Sequence, residues 1–184
     1  MSPDRRSQRE RMLAGDLYLA DDPELAAESG RARGLCDAYN RGEGDGRAIL
    51  GQLLGAFGDG SEIRAPFYCD YGYQIRIGAR TFVNFGLVAL DVAAITIGDD
   101  VQMGPYVQLL TPTHPTDAEL RRAKWEAAEP ITVADNVWLG GGVIVLPGVT
   151  IGNNTVVGAG AVVTKNLPAD VVAVGTPARV VRSL

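Results

Sequence analysis

A period of six residues runs through this chain from about residue 62 onward. From Val133 every sixth position is aliphatic, with Leu139, Val145, Ile151, Val157 and Val163 following in step. The same step links Ile97, Met103 and Leu109, and it begins at Ile77 and Val83 as well. Glycine often follows the aliphatic position, as at Gly78, Gly98, Gly104, Gly140, Gly152 and Gly158. Helices repeat near 3.6 residues and half-buried strands at two, so neither produces this spacing. A fixed-period repeat instead signals a solenoid whose stacked units bury one continuous core. Three hexads make a triangular coil of about 18 residues, each presenting one aliphatic side chain inward. Stacked coils then pair their backbones at the usual strand spacing of about 4.8 Å. The pairs Asp99-Asp100, Asp135-Asn136 and Asn153-Asn154 keep the coil repeat and are expected at one corner. Asn and Asp tolerate left-handed φ there and bond to nearby backbone.

Residues 1–58 read as a helical segment and residues 59–184 as the solenoid with a C-terminal tail. Asp22-Pro23 looks like an N-cap followed by proline at the first helical position. Leu25, Ser29, Ala32, Cys36 and Tyr39 recur at helical spacing until Asn40 and Gly42 stop them. Ile49, Leu50, Leu53, Leu54 and Phe57 mark a second amphipathic helix, and residues 11–14 a shorter candidate. The solenoid is interrupted at about residues 110–130, LTPTHPTDAELRRAKWEAAEP, a polar stretch bounded by prolines. A loop projecting from a solenoid usually carries function. It contains His114, the one histidine of 184 residues. His114 has two readings on the residues alone, a solvated loop residue or a catalytic base.

Composition removes several classes. The formal net charge is −5, and no basic stripe is interleaved with aromatics, which argues against nucleic-acid binding. No apolar run is long enough to span a membrane. The charged N-terminus lacks the apolar core of a secretory signal. Cys36 and Cys69 are too few for a disulfide framework and form no Cys-x-x-Cys, so they read as isolated buried thiols in a reducing cytoplasm. One histidine and no recognisable zinc spacing leave no metal site to expect. The threonines do not keep one register, against an ice-binding face.

The stretches MLAGDLYLADDPEL, FYCDYGY, VNFGLVALDVAAITIGDDVQMGPYVQLLTPTHP, NVWLGGGVIVLPGVTIG and VVGAGAVVTKNLPADVVAVGTPARVVR resemble, in order, the maltose and galactoside O-acetyltransferases. That group includes the nodulation-type sugar acetyltransferases, and the likeness covers nearly the whole chain. It implies a left-handed parallel β-helix with an N-terminal helical segment. It also implies transfer of acetyl from acetyl-CoA to a sugar hydroxyl, in a homotrimer with active sites between subunits. Carried over residue by residue, His114 is the base. Asn84 and Asp70 line the acceptor or acetyl site, with Asp91 a further candidate. Trp138, Gly141, Ala159, Thr164, Lys165, Arg179 and Arg182 follow the coenzyme A groove. Family members often have an acidic residue where Leu19 stands, an arginine near Ser29 and a tyrosine at Ala127. The coenzyme side therefore matches better than the acceptor side.

These residue types suit the implied chemistry. A sugar hydroxyl is a weak nucleophile at neutral pH, and an imidazole with an ordinary pKa near 6.5 can accept its proton. The tetrahedral intermediate needs an oxyanion donor, from the backbone of residues 138–142 or from the Asn84 amide. Lys165, Arg179 and Arg182 are the only basic residues after Lys124, placed to meet the coenzyme phosphates. Two alternatives stay open: a hexapeptide acetyltransferase with a serine-type or xenobiotic acceptor, and a retired acetyl-CoA-binding β-helix.

Overall fold

A computed structural model describes residues 5–184. Three parallel sheets form the sides of a prism, two of five strands and one of seven. The registers follow the hexads. Phe57, Ile77, Ile97, Val133 and Ile151 stack on one side. Ile63, Val83, Met103, Leu139, Val157 and Ala173 stack on the next. Cys69, Ala89, Leu109, Val145 and Val163 stack on the third. Nearly all of these inward side chains are below 4 % exposed, so the repeat is the core itself. The seven-stranded side closes with an antiparallel hairpin between Val171–Val174 and Arg179–Ser183.

One corner carries the expected polar column. Asp100, Asn136 and Asn154 all take positive φ, near +60°. Their neighbours bond up the stack: Asp99 N–H donates to Asp135 Oδ1 at 2.9 Å, and Asp135 N–H to Asn153 Oδ1 at 3.2 Å. The Asn136 amide donates to Asn154 Oδ1 at 3.0 Å, and the Asn154 amide to Asp170 Oδ1 at 2.7 Å.

A second corner departs from the hexad, and does so three times. Cys69 to Ile77, and Ala89 to Ile97, are eight residues rather than six. Leu109 to Val133 is twenty-four, because residues 111–129 leave the prism there. The backbone bond from Glu129 N–H to Thr111 O, 3.0 Å, closes the neck of that excursion. Each time the ladder resumes in register, so the extra residues accumulate on the outside as a local outgrowth.

The N-terminal segment packs against that outgrowth. Helix α1 spans Gln8–Leu13 and opens with a reciprocal cap between Ser7 and Glu10. A two-residue strand, Tyr18–Leu19, follows. Helix α2 spans Pro23–Asn40, with Asp22 Oδ1 accepting from the N–H groups of Glu24 and Leu25 as the Asp-Pro pair predicts. Helix α3 spans Gly46–Leu53, capped by Asp45. It is shorter than the apolar spacing predicts: Leu54 is the C-cap, and Phe57 belongs to the first coil strand. That strand pairs Ala56 and Phe57 with Arg76 and Ile77, so the solenoid starts before residue 59. Apolar spacing alone does not separate a last helical turn from an inward strand position. A small second core of Met12, Tyr18, Leu25, Tyr71, Val92 and Ala128 joins the segment to the irregular corner.

The excursion is not a bare loop. It holds the strand Pro112–Thr113, helix α4 at Ala118–Arg122, and the strand Trp125–Ala128. The latter strand pairs antiparallel with Pro112–Thr113 on one edge and Tyr18–Leu19 on the other. The chain's N-terminal segment and its mid-chain insertion thus share one small sheet.

Candidate active site

The three detours and the N-terminal segment enclose a cavity of about 400 Å³. Tyr18, Ser29, Arg33, Asp70, His114 and Glu126 give its wall polar groups. His114 follows the strand Pro112–Thr113 at the cavity mouth, with its side chain 57 % exposed. Its Nδ1 lies 3.9 Å from Glu126 Oε1, an ion-pair separation once the imidazole is protonated. Glu126 is held from behind by the buried Tyr18 hydroxyl, which donates to Oε2 at 2.9 Å.

Asp70 reaches the cavity because the turn after Phe67–Cys69 is fixed from below. The Asp91 carboxylate accepts three backbone N–H groups of that turn. Oδ1 takes Asp70 at 3.1 Å and Tyr71 at 2.9 Å, and Oδ2 takes Gln74 at 3.2 Å. The Gln74 amide returns to the carbonyls of Asp91 and Val92 at 2.9 and 2.6 Å. Gly72 has φ +79°, and a Cβ there would stand 2.5 Å from Leu53 Cδ1, so the turn requires glycine. Asp91 itself is fully buried and does not line the cavity. The expectation that it touches the acceptor is therefore corrected: its carboxylate is occupied by the turn that presents Asp70. Burial raises both carboxyls to about 6. At Asp70 the neighbouring charges of Asp91 and Glu126 add to burial, while at Asp91 the backbone N–H groups oppose it.

The other expected residues lie apart from this cavity. Asn84 follows the strand Phe82–Val83 on the seven-stranded side and accepts from Phe85 N–H at 2.8 Å. It does not line the His114 cavity. Trp138 stands on the same side, 56 % exposed, in register between Gln102 and Val156. Gly141 and Ala159 follow it around the next corner, joined by Gly160 N–H to Gly141 O at 2.9 Å. The coil ladder occupies the N–H groups of Trp138, Gly140 and Gly142. Of the three consecutive glycines only Gly141 keeps its N–H outside that ladder. Thr164 is exposed beside Lys165. Lys165 and Arg179 line a shared cavity of about 280 Å³, whereas Arg182 lies outside it and donates to Ser183 O. Leu19 does not line the His114 cavity but its neighbour Ala20 does, together with Ser29.

Sequence reasoning missed Glu126, Tyr18 and Arg33. Tyr18 sits within AGDLY but has no chemical signature of its own. Glu126 pairs with it only through a strand contact 108 residues long in sequence. The two cysteines are not isolated: Cys36 Sγ and Cys69 Sγ are 3.6 Å apart, so they are a pair of free thiols. Among the described residues no three His, Cys, Asp or Glu side chains group to hold a metal ion. No described helix is long and apolar enough to cross a membrane.

A hexad-built parallel prism with a helical cap and a histidine-bearing excursion is the architecture of the hexapeptide-repeat acyltransferases. The maltose acetyltransferase hexapeptide capping motif matches residues 11–58, and the bacterial transferase hexapeptide motif of six repeats matches residues 130–165. Nodulation protein L of Rhizobium meliloti (strain 1021) is 48 % identical over 179 residues, covering 95 % of this chain and 98 % of that protein. The crystal structure of a maltose O-acetyltransferase from Clostridium difficile 630 superposes with a TM-score of 0.95 at 42 % identity, covering 98 % of this chain and 99 % of that one. A hexapeptide-repeat acetyltransferase of Vibrio cholerae O1 biovar eltor, complexed with acetyl coenzyme A, gives 0.90 at 40 % identity, covering 97 % and 99 %. The chain belongs to the maltose and galactoside O-acetyltransferase family and is an acyltransferase.

Proposed function

We propose that this chain transfers acetyl from acetyl-CoA to a hydroxyl of a mono- or oligosaccharide, with His114 as general base. The observation that carries this reading is the imidazole at the mouth of a polar cavity, backed by the Glu126 carboxylate and sharing that cavity with Asp70. His114 Nε2 takes the hydroxyl proton as the oxygen attacks the thioester carbonyl. Glu126 stabilises the imidazolium that forms. The tetrahedral oxyanion is met by the Gly141 N–H or the Asn84 amide. Collapse expels the coenzyme thiolate, which recovers the proton from His114. Attack is direct, and no acyl-enzyme is formed. Asp70 and Arg33 orient the sugar by hydrogen bonds.

Asn84, Trp138, Gly141, Ala159, Thr164, Lys165, Arg179 and Arg182 belong to the acetyl-CoA half of the reaction. They stand on other parts of the prism than the acceptor cavity, which supports a homotrimer joining the two halves between neighbouring copies. The exposed aromatic side chains of Phe85, Tyr106 and Trp138, 47 to 67 % accessible in one copy, support the same assembly. A cytoplasmic location, where acetyl-CoA is at hand, belongs to this reading.

The test is thiol release from acetyl-CoA across glucose, maltose, galactosides, chitin fragments, serine and a hydroxyl-bearing xenobiotic, for wild type and His114→Ala. Acceptor-dependent release that falls by about 10²-fold or more in the variant is expected. Equal release by both proteins would remove His114 from its role, and release with serine or xenobiotic acceptors alone would replace the sugar.

A further inference from the structure

Helix α2 runs antiparallel to the strand Phe67–Cys69, and three successive contacts mark the line between them. At the C-terminal end of the helix Asn40 clamps Phe67: its amide donates to Phe67 O at 2.9 Å and its Oδ1 accepts from Phe67 N–H at 2.8 Å. One turn back along the helix Cys36 meets Cys69, two residues on along the strand, with sulfurs 3.6 Å apart. One and two turns further back, Arg33 and Ser29 stand with Asp70 in the wall of the His114 cavity. Both thiols, with Ser29, Arg33, Asp37, Tyr68 and Asp70, line an adjoining cavity of about 370 Å³. Ser29, Arg33 and Asp70 belong to both cavities.

We propose that Cys36 and Cys69 form an oxidation site that closes to an intramolecular disulfide with a small organic disulfide as oxidant, and that this link draws the wall of the acceptor cavity inward. The reactive geometry is already present. A disulfide has its sulfurs about 2.05 Å apart, so closure asks for about 1.5 Å of approach between two sulfurs carried by a helix and a strand already side by side. Either sulfur can donate its S–H to the other at this separation; with Cys69 as the donor, the Cys36 pKa falls and that of Cys69 rises. Cys36 is thus the thiol that ionises first and attacks. Its thiolate displaces one thiolate from the oxidant and forms a mixed disulfide. Cys69 then gives up its proton and attacks the Cys36 sulfur, releasing the second thiol. The oxidant gains two electrons and leaves as two thiols, and the protein loses two hydrogens. Because Asn40 anchors the far end, the approach of Cys36 tilts the Ser29–Arg33 turn toward Asp70. This consequence rests on the acceptor-cavity reading above.

The decisive experiment is to incubate the full chain with hydroxyethyl disulfide, alkylate under denaturing conditions and measure intact mass. Wild type is expected to lose two hydrogens, to take up no alkylating agent, and to yield a Cys36–Cys69 linked peptide on digestion. Cys36→Ser and Cys69→Ala should each carry at most one hydroxyethylthio adduct. Two alkylatable thiols, two separate adducts, or a disulfide between two chains would overturn the site. Mass needs no turnover, so it decides the site even if the proposed reaction is wrong. Oxidised enzyme should then show an acceptor KM raised about threefold or more, reversed by dithiothreitol, with the KM for acetyl-CoA unchanged and Cys36→Ser indifferent to the oxidant. A closed disulfide with unaltered acceptor KM would refute its hold on the cavity.

Discussion

The Tyr18 hydroxyl donates to Glu126 Oε2 at 2.9 Å, tying the N-terminal segment to the mid-chain excursion through the carboxylate beside His114. Tyr18 is 1 % exposed and its ionisation is pushed far up, first by burial and then by the Glu126 charge, so it is a permanent donor. Tyr18→Phe keeps the ring and deletes the donor. It should destabilise the protein by about 1 kcal/mol. It should also lower kcat more than it changes either KM, because Glu126 loses its orientation. Denaturant melts and steady-state kinetics check both, and unchanged kcat would show that the hydroxyl serves the fold alone.

Glu126→Gln removes the charge facing the imidazole and keeps the shape. kcat should then fall by about tenfold, since the imidazolium that forms during transfer loses a stabilising neighbour. Unchanged turnover would show that the carboxylate plays no part in transfer.

Asp91 gives stability a dependence on pH whose sign follows from its environment. Its carboxyl titrates near 4 in the unfolded chain and at about 6 in the folded one. The folded state therefore holds the proton more tightly, and this group's contribution is fully present at low pH and lost as pH rises through that window. The stability difference between wild type and Asp91→Asn should turn against the wild type between about pH 4 and pH 6 and stay level above. A difference that does not vary with pH would contradict the buried carboxyl. Asp91→Ala should cost about 3 kcal/mol or more at any pH, because three turn N–H groups lose their acceptor.

Lys165→Ala and Arg179→Ala, at the smaller cavity, should raise the KM for acetyl-CoA severalfold without altering the acceptor KM. The change should weaken at high salt if phosphate charge is what they meet. Arg182→Ala, outside that cavity, should have the smaller effect. Equal effects for all three would point to a diffuse charge at the tail.

Much of this was legible in the sequence. The hexads gave the three sides of the prism residue by residue, and the acidic and amide pairs gave one corner, because both depend on local spacing alone. His114 stood out because the repeat fails around it. The other two detours were hidden, since an eight-residue step after Cys69 or Ala89 disturbs the pattern far less than the long excursion does. Asp91 was placed in the acceptor site although its carboxylate faces backbone: an aspartate that binds a turn and one that binds a sugar look alike in a string of letters. Glu126, and the approach of Cys36 to Cys69, depend on how distant segments pack, and periodicity carries no information about that.

The corner where the coils lengthen has one more implication. The strand pairing returns to register after each detour, with Ile77 over Ile97 and Ile97 over Val133 whatever length intervenes. Chain length at this corner is thus decoupled from the rest of the prism, like a socket mounted on a chassis of fixed dimensions. On the proposed reading, acceptor preference can change by insertion, deletion or grafting at these three points while the core columns keep their register.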